Sequence, residues 1–402
     1  MNKRAGLAIL VAALGYFVDI YDLLLFGVVR LPSLASLGIT GDAALSEGAF
    51  LLDMQMIGML LGGVLWGMLA DKRGRLSVLF GSIVLYSLAN LANGLVQNVS
   101  QYAVLRFLAG VGLAGELGAG ITLVSESMPA KLRGYGTTIV ASIGILGAVV
   151  ASLVGGFFSW RTAYFIGGGL GVSLLLLRVG VVESGLFEGV KERTKSRGNF
   201  WQLFSTWDRA RRYLAVIFVG VPIWYTVGIL ILFSSEIGKA MGMTEAPSPG
   251  RAVFFCYAGL AAGDLASGAL SQVLKSRRRA LLVFLLLTGL TIAVYFTLGK
   301  GSLTAFYAAC VALGVANGYW AVFVTVAAEQ FGTNLRGTAT TTVPNFVRGM
   351  VVPLTALFQL FKGSLGVVGS AVALGAGTLI VAFFALFALG ETYGKDLDFL
   401  ED

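Results

Sequence analysis

Two aspartates, three residues apart, lie inside a long apolar stretch near the start of the chain. The segment GYFVDIYDLL places Asp19 and Asp22 in an apolar run from Ala5 to Val29, which is long enough to cross a bilayer. A carboxylate near the bilayer centre costs at least ~2.5 kcal/mol. Positions i and i+3 share one face of a helix, so both side chains must point into protein or into a water-filled cavity. The chemistry available to them there is the binding and release of a proton.

Further charged residues lie inside other apolar segments. Arg106 and Glu116 lie in RFLAGVGLAGELGAGITLVSE, while Asp264 and Arg348 lie in AAGDLASG and VPNFVRGMV. One of the first two aspartates could be a fixed partner of Arg106, although a single such pair leaves the other aspartate unexplained. A movement of Arg106 relative to a protonatable carboxylate would couple proton binding to a conformational change. Arg178 is expected to snorkel towards the membrane surface.

Arg348 has two alternative roles. It could neutralise Asp264, or it could bind an anionic solute, because a guanidinium can hold a carboxylate through two hydrogen bonds. The residues expected to line a solute cavity with it are Tyr21, Asp264, Asn317, Tyr319, Trp320 and Asn345, although aromatic residues at such positions often only pack.

The composition excludes several kinds of catalysis. Of the 402 residues, 57% are hydrophobic and 12% are charged, against about 25% charged in soluble domains, so this is an integral membrane protein. The chain contains no histidine, which excludes histidine–metal sites and Ser–His or Cys–His nucleophiles. Cys256 and Cys310 lie in apolar segments and do not indicate a disulfide framework. There is no Walker-type loop, which argues against a nucleotide-driven pump. Because histidine is absent, we expect no enzyme and no metal site, and with the proton gradient as the driving force we expect no cofactor.

Twelve apolar runs of membrane-spanning length are separated by short polar breaks. They cover about 5–29, 47–70, 76–96, 101–126, 136–157, 161–183, 211–235, 250–274, 278–298, 302–328, 336–360 and 365–390. With both termini in the cytoplasm, twenty of the 29 lysines and arginines fall on the cytoplasmic side and six on the other. The net charge of +8 therefore reflects topology and contact with anionic lipid, and not nucleic-acid binding.

The two halves of the chain repeat. SESMPAKLRGYGTT (125–138) aligns with AEQFGTNLRGTATT (328–341), and each copy ends one span and opens the next. The longest polar interruption separates two groups of six spans. The sequence therefore predicts an all-α protein with an N-terminal six-helix half (1–183), a cytoplasmic connecting loop (184–211), a C-terminal six-helix half (212–390) and a cytoplasmic tail (391–402).

The loop after the second span contains GMLADKRGRL (67–76), which resembles the cytoplasmic signature of the major facilitator superfamily. The resemblance implies twelve transmembrane helices in two pseudo-symmetric halves, with a substrate site near the bilayer midplane between them. The loop motif then belongs to a gate on the cytoplasmic side. The residues expected in that gate, from this motif and from the two repeated segments, are Asp71, Arg75, Glu126, Arg133, Glu329 and Arg336.

Within the superfamily, the first half is most similar to the metabolite:proton symporters. The run from Arg106 to Glu116 resembles their R-x-x-x-G-x-x-x-G-G-E pattern, with Ala114 in place of one glycine. DIYD resembles their E-W-Y-D step, and ETYGKDLDFLE resembles the P-E-T tail of sugar porters without its proline. The resemblance implies a proton-coupling set that comprises Asp19, Asp22, Arg106 and Glu116.

These patterns favour a secondary active transporter in the bacterial inner membrane. It would move a small anionic or zwitterionic solute together with protons by alternating access. A proton-driven exporter of a metabolite or drug is the first alternative, and an uncoupled facilitator is the second. A channel conflicts with the two repeats and the gate motif. The expected partners are the solute, protons and lipid, the proton gradient is the driving force, and a monomer suffices for the fold.

Reporter fusions test the predicted orientation. Fusions after Asn98 and Gly301 should report the outer side, and fusions after Gly74, Gly198 and Asp402 should report the cytoplasm. The reason is that the excess of basic residues marks the cytoplasmic side of the membrane. Alkaline phosphatase and a fluorescent protein, compared at each position in intact cells, make the measurement. A reversal at any position would contradict the span assignment.

Overall fold

A computed structural model describes residues 3–73, 75–118, 120, 133–183, 200–395 and 400–401, and these residues are helical apart from short connections. The helices are α1 (Lys3–Ser36), α2 (Gly41–Arg73), α3 (Arg75–Asn93), α4 (Val99–Leu113), α5 (Arg133–Phe157), α6 (Trp160–Glu183), α7 (Trp207–Tyr225), α8 (Ser234–Ala240), α9 (Pro249–Val273), α10 (Arg277–Thr297), α11 (Leu303–Asn317), α12 (Trp320–Glu329), α13 (Thr333–Gly349) and α14 (Val351–Ala388). Two 3₁₀ turns (Phe200–Phe204 and Gly299–Gly301) and a π-helical turn (Thr226–Ile231) complete the described elements.

Apolar runs become helices here because lipid offers no hydrogen-bond partners to the backbone. The described chain contains eight helical segments that are long and apolar enough to cross a membrane. The longest, Asn334–Ala388, supplies two spans, because the backbone turns at Gly366 with φ at +67°, where a side chain would be strained. Two shorter apolar helices (Ser77–Asn93 and Ile143–Phe157) and α4 lie where the other spans are predicted. The prediction of an all-α, twelve-helix membrane fold is confirmed.

Polar caps start several helices at the ends of the bundle. The side chains of Asn98, Ser276 and Ser302 accept hydrogen bonds from backbone N–H groups in the first turns of α4, α10 and α11. Thr206 caps α7 in the same way, so this helix begins inside the segment predicted as the connecting loop. Helix α1 likewise extends past the predicted first span at both ends.

The two halves repeat the same helix pairings. In the N-terminal half α1 packs on α5, α2 on α4, and α3 on α6. In the C-terminal half α7 packs on α13 and α14, α9 on α11, and α10 on α14. In each half the first span therefore meets the fifth, the second meets the fourth, and the third meets the sixth. This is the pseudo-symmetry that the sequence repeat predicts.

Glycines let the second and fourth spans of each half touch backbone to backbone. A Cβ at Gly110 in α4 would collide with the carbonyl oxygen of Gln55 in α2. A Cβ at Gly314 in α11 would collide with the carbonyl oxygen of Cys256 in α9. Such close approach is a main source of helix association in lipid, where the hydrophobic effect between helices is absent. The same close backbone contact therefore holds the second and fourth spans together within each half.

The halves meet along two helix pairs, α2 with α13 and α5 with α9. We call the end of the bundle that carries Glu329 and Glu401 the terminal side, and the end that carries Arg30 and Lys362 the distal side. Among the described residues, several polar contacts join the halves between the midplane and the distal end. They include Arg30 with Glu236 and with the Leu232 carbonyl (3.3 Å), Ser152 with the Gly250 carbonyl, Thr355 with Asp53 (Oγ1 to Oδ1, 2.6 Å) and Lys362 with Asp42 (3.4 Å).

The glycine contacts make a prediction about stability. Gly110→Ala and Gly314→Ala should each destabilise the protein by about 1–3 kcal/mol, because the added methyl group forces apart two packed backbones. Gly169→Ala is the matched control, since a Cβ there meets nothing within 4 Å. Melting of the purified protein in detergent measures the effect. Equal melting temperatures for all three variants would show that these contacts do not set the helix spacing.

Candidate functional site

Asp19 and Arg348 meet between the two halves, deep in the bundle. Asp19 lies on α1 and Arg348 near the end of α13, and Nη2 of Arg348 lies 3.6 Å from Oδ2 of Asp19. Both side chains are buried. Neither oxygen of Asp19 makes a hydrogen bond within the described part of the chain, and the same holds for Nε and Nη1 of Arg348. Buried polar groups normally have such partners, so this pair keeps free hydrogen-bonding capacity for something else.

Aromatic rings surround this ion pair. The guanidinium carbon of Arg348 lies 5.8 Å from the ring centroids of both Trp224 and Trp320. Tyr16, one turn before Asp19 on α1, lies within electrostatic range of Asp19 and Arg348. Tyr257 on α9 interacts with the same group of charges. A few convergent polar groups among aromatic side chains are typical of a small-molecule site.

Asp264 lies near this site but is not the partner of Arg348. Its Oδ1 accepts a hydrogen bond from the backbone N–H of Ala321 (3.1 Å), in the first turn of α12, where the helix dipole favours a negative charge. The described ion pair of Arg348 is made with Asp19 instead. The expectation that Asp264 neutralises Arg348 is therefore wrong for this conformation, because a helix N-terminus already stabilises Asp264.

Asp22 faces the interior of its own half. Arg106 is its charged neighbour, yet no atom of either charged group makes a hydrogen bond to a described residue. The guanidinium of Arg106 instead lies over the rings of Phe26 (5.2 Å) and Tyr164 (5.9 Å). The two aspartates therefore have different surroundings: Asp19 reaches the opposite half, and Asp22 stays beside Arg106.

Glu116 forms a buried ion pair with Arg178. Arg178 lies on α6, is buried, and also donates to the Leu79 carbonyl (3.2 Å). Gly15 on α1 makes room for the pair, since a Cβ there would collide with the carboxylate and the guanidinium. The expectation that Arg178 snorkels to the surface is wrong, because a carboxylate within the same half holds it inside.

The other residues expected to line the cavity are hydrogen-bonded to the backbone. Tyr21 donates to the Ala163 carbonyl (2.9 Å), Tyr319 to the Val219 carbonyl (3.0 Å), and Asn317 to the Leu313 carbonyl (2.8 Å). Asn345 on α13 donates to the Ala114 carbonyl across the halves (2.9 Å). The ring centroid of Trp320 lies 5.8 Å from the guanidinium carbon of Arg348. The solute-binding role of all these residues stays a prediction.

Two of the residues predicted for the gate, Glu329 and Arg336, lie on the terminal side. Glu329 pairs with Arg277 (3.4 Å) and accepts from Thr392 (2.7 Å), while Nε of Arg336 donates to the Ala328 carbonyl (3.2 Å). These contacts lie within the C-terminal half. The side chains of Asp71, Arg75 and Arg133, and the whole of Glu126, lie outside the described residues, so the gate stays a prediction.

The tail closes over the same side of the C-terminal half. Glu401 accepts from Arg212 (Nη1 to Oε1, 3.0 Å), from Arg209 (3.2 Å) and from the backbone of Gly332 (3.3 Å). Partial burial acts to raise the pKa of Glu401, but these hydrogen bonds and the Arg212 charge outweigh it and hold the pKa below its ordinary value. The tail carboxylate thus ties the start of α7 to the loop before α13.

The sequence model of the Major Facilitator Superfamily matches residues 6–352. The chain belongs to this superfamily. A Haemophilus influenzae protein described provisionally as a metabolite transport protein is 27% identical over 99% of both chains. The 3-(3-hydroxy-phenyl)propionate transporter of Escherichia coli is 28% identical over 85% of this chain and 86% of its own. A crystal structure of a D-xylose–proton symporter shares the fold, with a TM-score of 0.70, 17% identity, and coverage of 97% of this chain and 99% of that one.

The protein is therefore a multi-pass membrane transporter of small metabolites, and not an enzyme. The transporter's central site includes residues that the motifs missed. Tyr16 is three residues before Asp19, so helical periodicity could have found it. Trp224 and Tyr257 lie in uniformly apolar segments and carry no comparable signal, and Arg178 could be matched to Glu116 only once the helices were placed in space.

The Glu116–Arg178 pair should contribute strongly to the stability of the transporter. Glu116→Gln should cost about 3–5 kcal/mol of stability, because it leaves a buried guanidinium without a counterion, and the double variant Glu116→Leu with Arg178→Met should recover most of it. Asp208→Asn is the control, since the loss of its surface ion pairs with Arg211 and Arg212 should change stability by less than about 1 kcal/mol. If Glu116→Gln keeps its melting temperature and loses proton-driven uptake, Glu116 is a coupling residue instead.

Proposed function

We propose that this transporter carries a small organic anion together with a proton, and that Asp19 and Arg348 are the residues on which the two meet. The observation that carries the proposal is the buried contact between them. It joins a carboxylate of one half to a guanidinium of the other, and both groups have unused hydrogen-bonding atoms among the described residues. Each group could therefore exchange its partner without first breaking a network.

Charge balance supplies the coupling. A solute carboxylate that binds Arg348 displaces Asp19 and can use the two-pronged geometry of the guanidinium. Asp19 would then be an unpaired buried charge, which is costly, so it takes up a proton. The loaded site contains one anion, one proton and the Arg348 charge. When the solute leaves, Arg348 attracts Asp19 again and the proton is released.

The same exchange would permit the conformational step. In the empty site, Asp19 on α1 and Arg348 on α13 attract each other across the halves. A bound solute replaces that attraction with contacts of its own. Alternating access, in which the halves rock about a central site, is the motion that the superfamily fold supports. Asp22 beside Arg106 is a second protonatable position within the N-terminal half.

The aromatic lining supports a solute that has a flat ring. Trp224 and Trp320 flank the guanidinium, and Tyr16 and Tyr257 lie close by. Rings of this kind favour stacking and edge contacts with an aromatic ligand. The E. coli relative named for 3-(3-hydroxy-phenyl)propionate points in the same direction. We therefore place aromatic carboxylates first among the candidate solutes.

The proposed setting is the bacterial inner membrane, with both termini in the cytoplasm and a monomer as the working unit. The bias of basic residues supports this orientation. The terminal side is then cytoplasmic, and the buried contacts of Arg30 with Glu236 and of Asp53 with Thr355 join the halves on the outer side. A proton-driven exporter would use the same carboxylates in the opposite direction, and an uncoupled facilitator would not accumulate its solute.

Binding measurements on charge variants test the proposal. 3-(3-hydroxyphenyl)propionate and other aromatic carboxylates should stabilise the purified protein against heat, and their primary amides should not, because an amide cannot balance Arg348. Arg348→Lys should weaken binding about tenfold or more, since it keeps the charge and loses the fork. Asp19→Asn should bind at least as tightly as the wild type, because it lacks the internal competitor, but should no longer accumulate solute in proteoliposomes.

The pH dependence separates this mechanism from its rivals. Because solute binding is accompanied by proton uptake, wild-type affinity should rise as the pH falls, and Asp19→Asn should lose that dependence. Asp42→Asn, an exposed acid, is the control. Equal binding of carboxylates and amides would exclude the anion site. Wild-type transport without accumulation would favour the facilitator. Solute uptake into vesicles only when protons move out of them would favour the exporter, since that is antiport.

A further inference from the structure

We propose that Arg30 is a second anion-binding site, in the distal entrance, and that Glu236 occupies this site while the entrance is closed. Arg30 belongs to α1 of the N-terminal half and Glu236 to α8 of the C-terminal half. The natural ligand of this site would be the anionic solute of the proposed function, and in this respect the inference rests on that function.

Arg30 is buried and lies at the junction of three elements. Its Nη2 lies 2.6 Å from Oε1 of Glu236 and donates to the Leu232 carbonyl (3.3 Å), while Nη1 donates to the Ala44 carbonyl (3.2 Å). The guanidinium carbon also lies 4.6 Å from the ring centroid of Phe233. Both terminal nitrogens are therefore engaged, and three of these four contacts are made with the opposite half.

An irregularity in the seventh span creates these partners. The π-helical turn at Thr226–Ile231 ends with the N–H of Leu232 bonded to the Val227 carbonyl, and Phe233 then leaves the helical conformation (φ −105°, ψ 24°). The helix restarts at α8. The break frees the Leu232 carbonyl to accept from Arg30 and places Glu236 beside the guanidinium. π-turns of this kind are frequently found at functional sites.

The site has spare capacity for a ligand. Nε of Arg30 and Oε2 of Glu236 are buried, and neither makes a hydrogen bond to a described residue. Gly48 on α2 leaves space against the arginine stem, since a Cβ there would lie 2.6 Å from Cδ of Arg30. A larger residue at position 48 would displace the guanidinium. The chain thus positions an arginine at the entrance without using all of its donors.

The entrance and the centre form a reciprocal pair of inter-half contacts. Arg30 of the N-terminal half holds Glu236 of the C-terminal half, and Arg348 of the C-terminal half holds Asp19 of the N-terminal half. When the halves separate on the distal side, Glu236 leaves with its own half and Arg30 remains as a cation without a counterion. Such a charge is costly in a partly desolvated cleft, so an anion from solution replaces the carboxylate. Arg30 therefore selects anions before they reach Arg348.

Charged thiol reagents test this site without knowledge of the natural solute. Val28→Cys places a reporter one half-turn inside Arg30, at the junction of the halves, where the Val28 side chain lies 3.2 Å from the Cβ position of Gly250. The native cysteines are fully buried and give the background in the protein that lacks the reporter. Labelling rates are measured in nanodiscs, which expose both sides, with the anionic reagent MTSES and the cationic reagent MTSET.

Two results are expected. Val28→Cys alone should label slowly with both reagents, and adding Glu236→Gln should speed labelling about tenfold or more, because the latch between the halves is weakened. In that variant MTSES should react faster than MTSET relative to their rates with a free thiol, since Arg30 is left to attract anions. Arg30→Gln should also speed labelling, but without the preference for MTSES.

Other outcomes overturn the proposal. If Glu236→Gln labels no faster than its parent, the pair is not a latch; if it labels faster without a preference for MTSES, Arg30 is not an anion site. Asp42→Asn, which breaks the exposed inter-half contact with Lys362, is the matched control and should change neither rate nor preference. Should Arg30→Gln fail to fold, Arg30→Lys combined with Glu236→Gln serves instead. It should label fast and keep the preference for MTSES, because the positive charge remains and its partner is removed; loss of the preference there would also overturn the proposal. Because no transport is measured, a negative result here leaves the proposed symport untouched.

Discussion

A buried guanidinium is costly without a negative charge nearby, and much of this transporter's structure follows from that cost. Arginine cannot discharge itself by losing a proton, and the interior offers little solvation, so separating it from a carboxylate is strongly unfavourable. Arg348 and Arg30 have such a charge across the boundary between the halves, in Asp19 and Glu236. Arg178 has one within its own half, in Glu116. The contacts between the halves must break when the halves move apart, whereas the contact within one half can persist.

Pseudo-symmetry governs the packing but not the charges. The helix pairings recur in both halves, and Gly110 and Gly314 make equivalent backbone contacts at the same place in each. Among the described residues, the Glu116–Arg178 pair does not recur, because Tyr319 stands at the position equivalent to Glu116 and donates to a backbone carbonyl instead. The duplicated scaffold therefore provides rigidity, and unduplicated charges provide a directional site. A strictly symmetric set of charges would give the two halves the same affinity for the solute.

The fold was predictable from the sequence because lipid leaves the backbone few choices. Long apolar runs must be helices, and their number, the repeat at 125–138 and 328–341, and the basic residues together indicate the architecture. The residues of the central site were partly predictable, since Asp19 and Arg348 stand out as charges inside apolar segments. Their pairing was not, because it depends on how two halves dock. Nothing local in the sequence indicates that α12 presents its N-terminus to Asp264, which removes Asp264 as the partner of Arg348.

The π-helical turn at Thr226–Ile231 has a mechanical consequence of its own. A π-helical turn holds one residue more than an α-helical turn. Each residue of an α-helix advances the chain by about 100° and 1.5 Å, so the segment after the turn is offset by about this amount from a continuous α-helix. If the turn relaxed to regular α-helix, the short segment that follows it, through α8, would rotate by about that angle around the axis. The Leu232 carbonyl and the Glu236 carboxylate would then swing away from Arg30 in a single screw motion. A short local change of winding could thus release the distal entrance while the rest of the C-terminal half stays rigid.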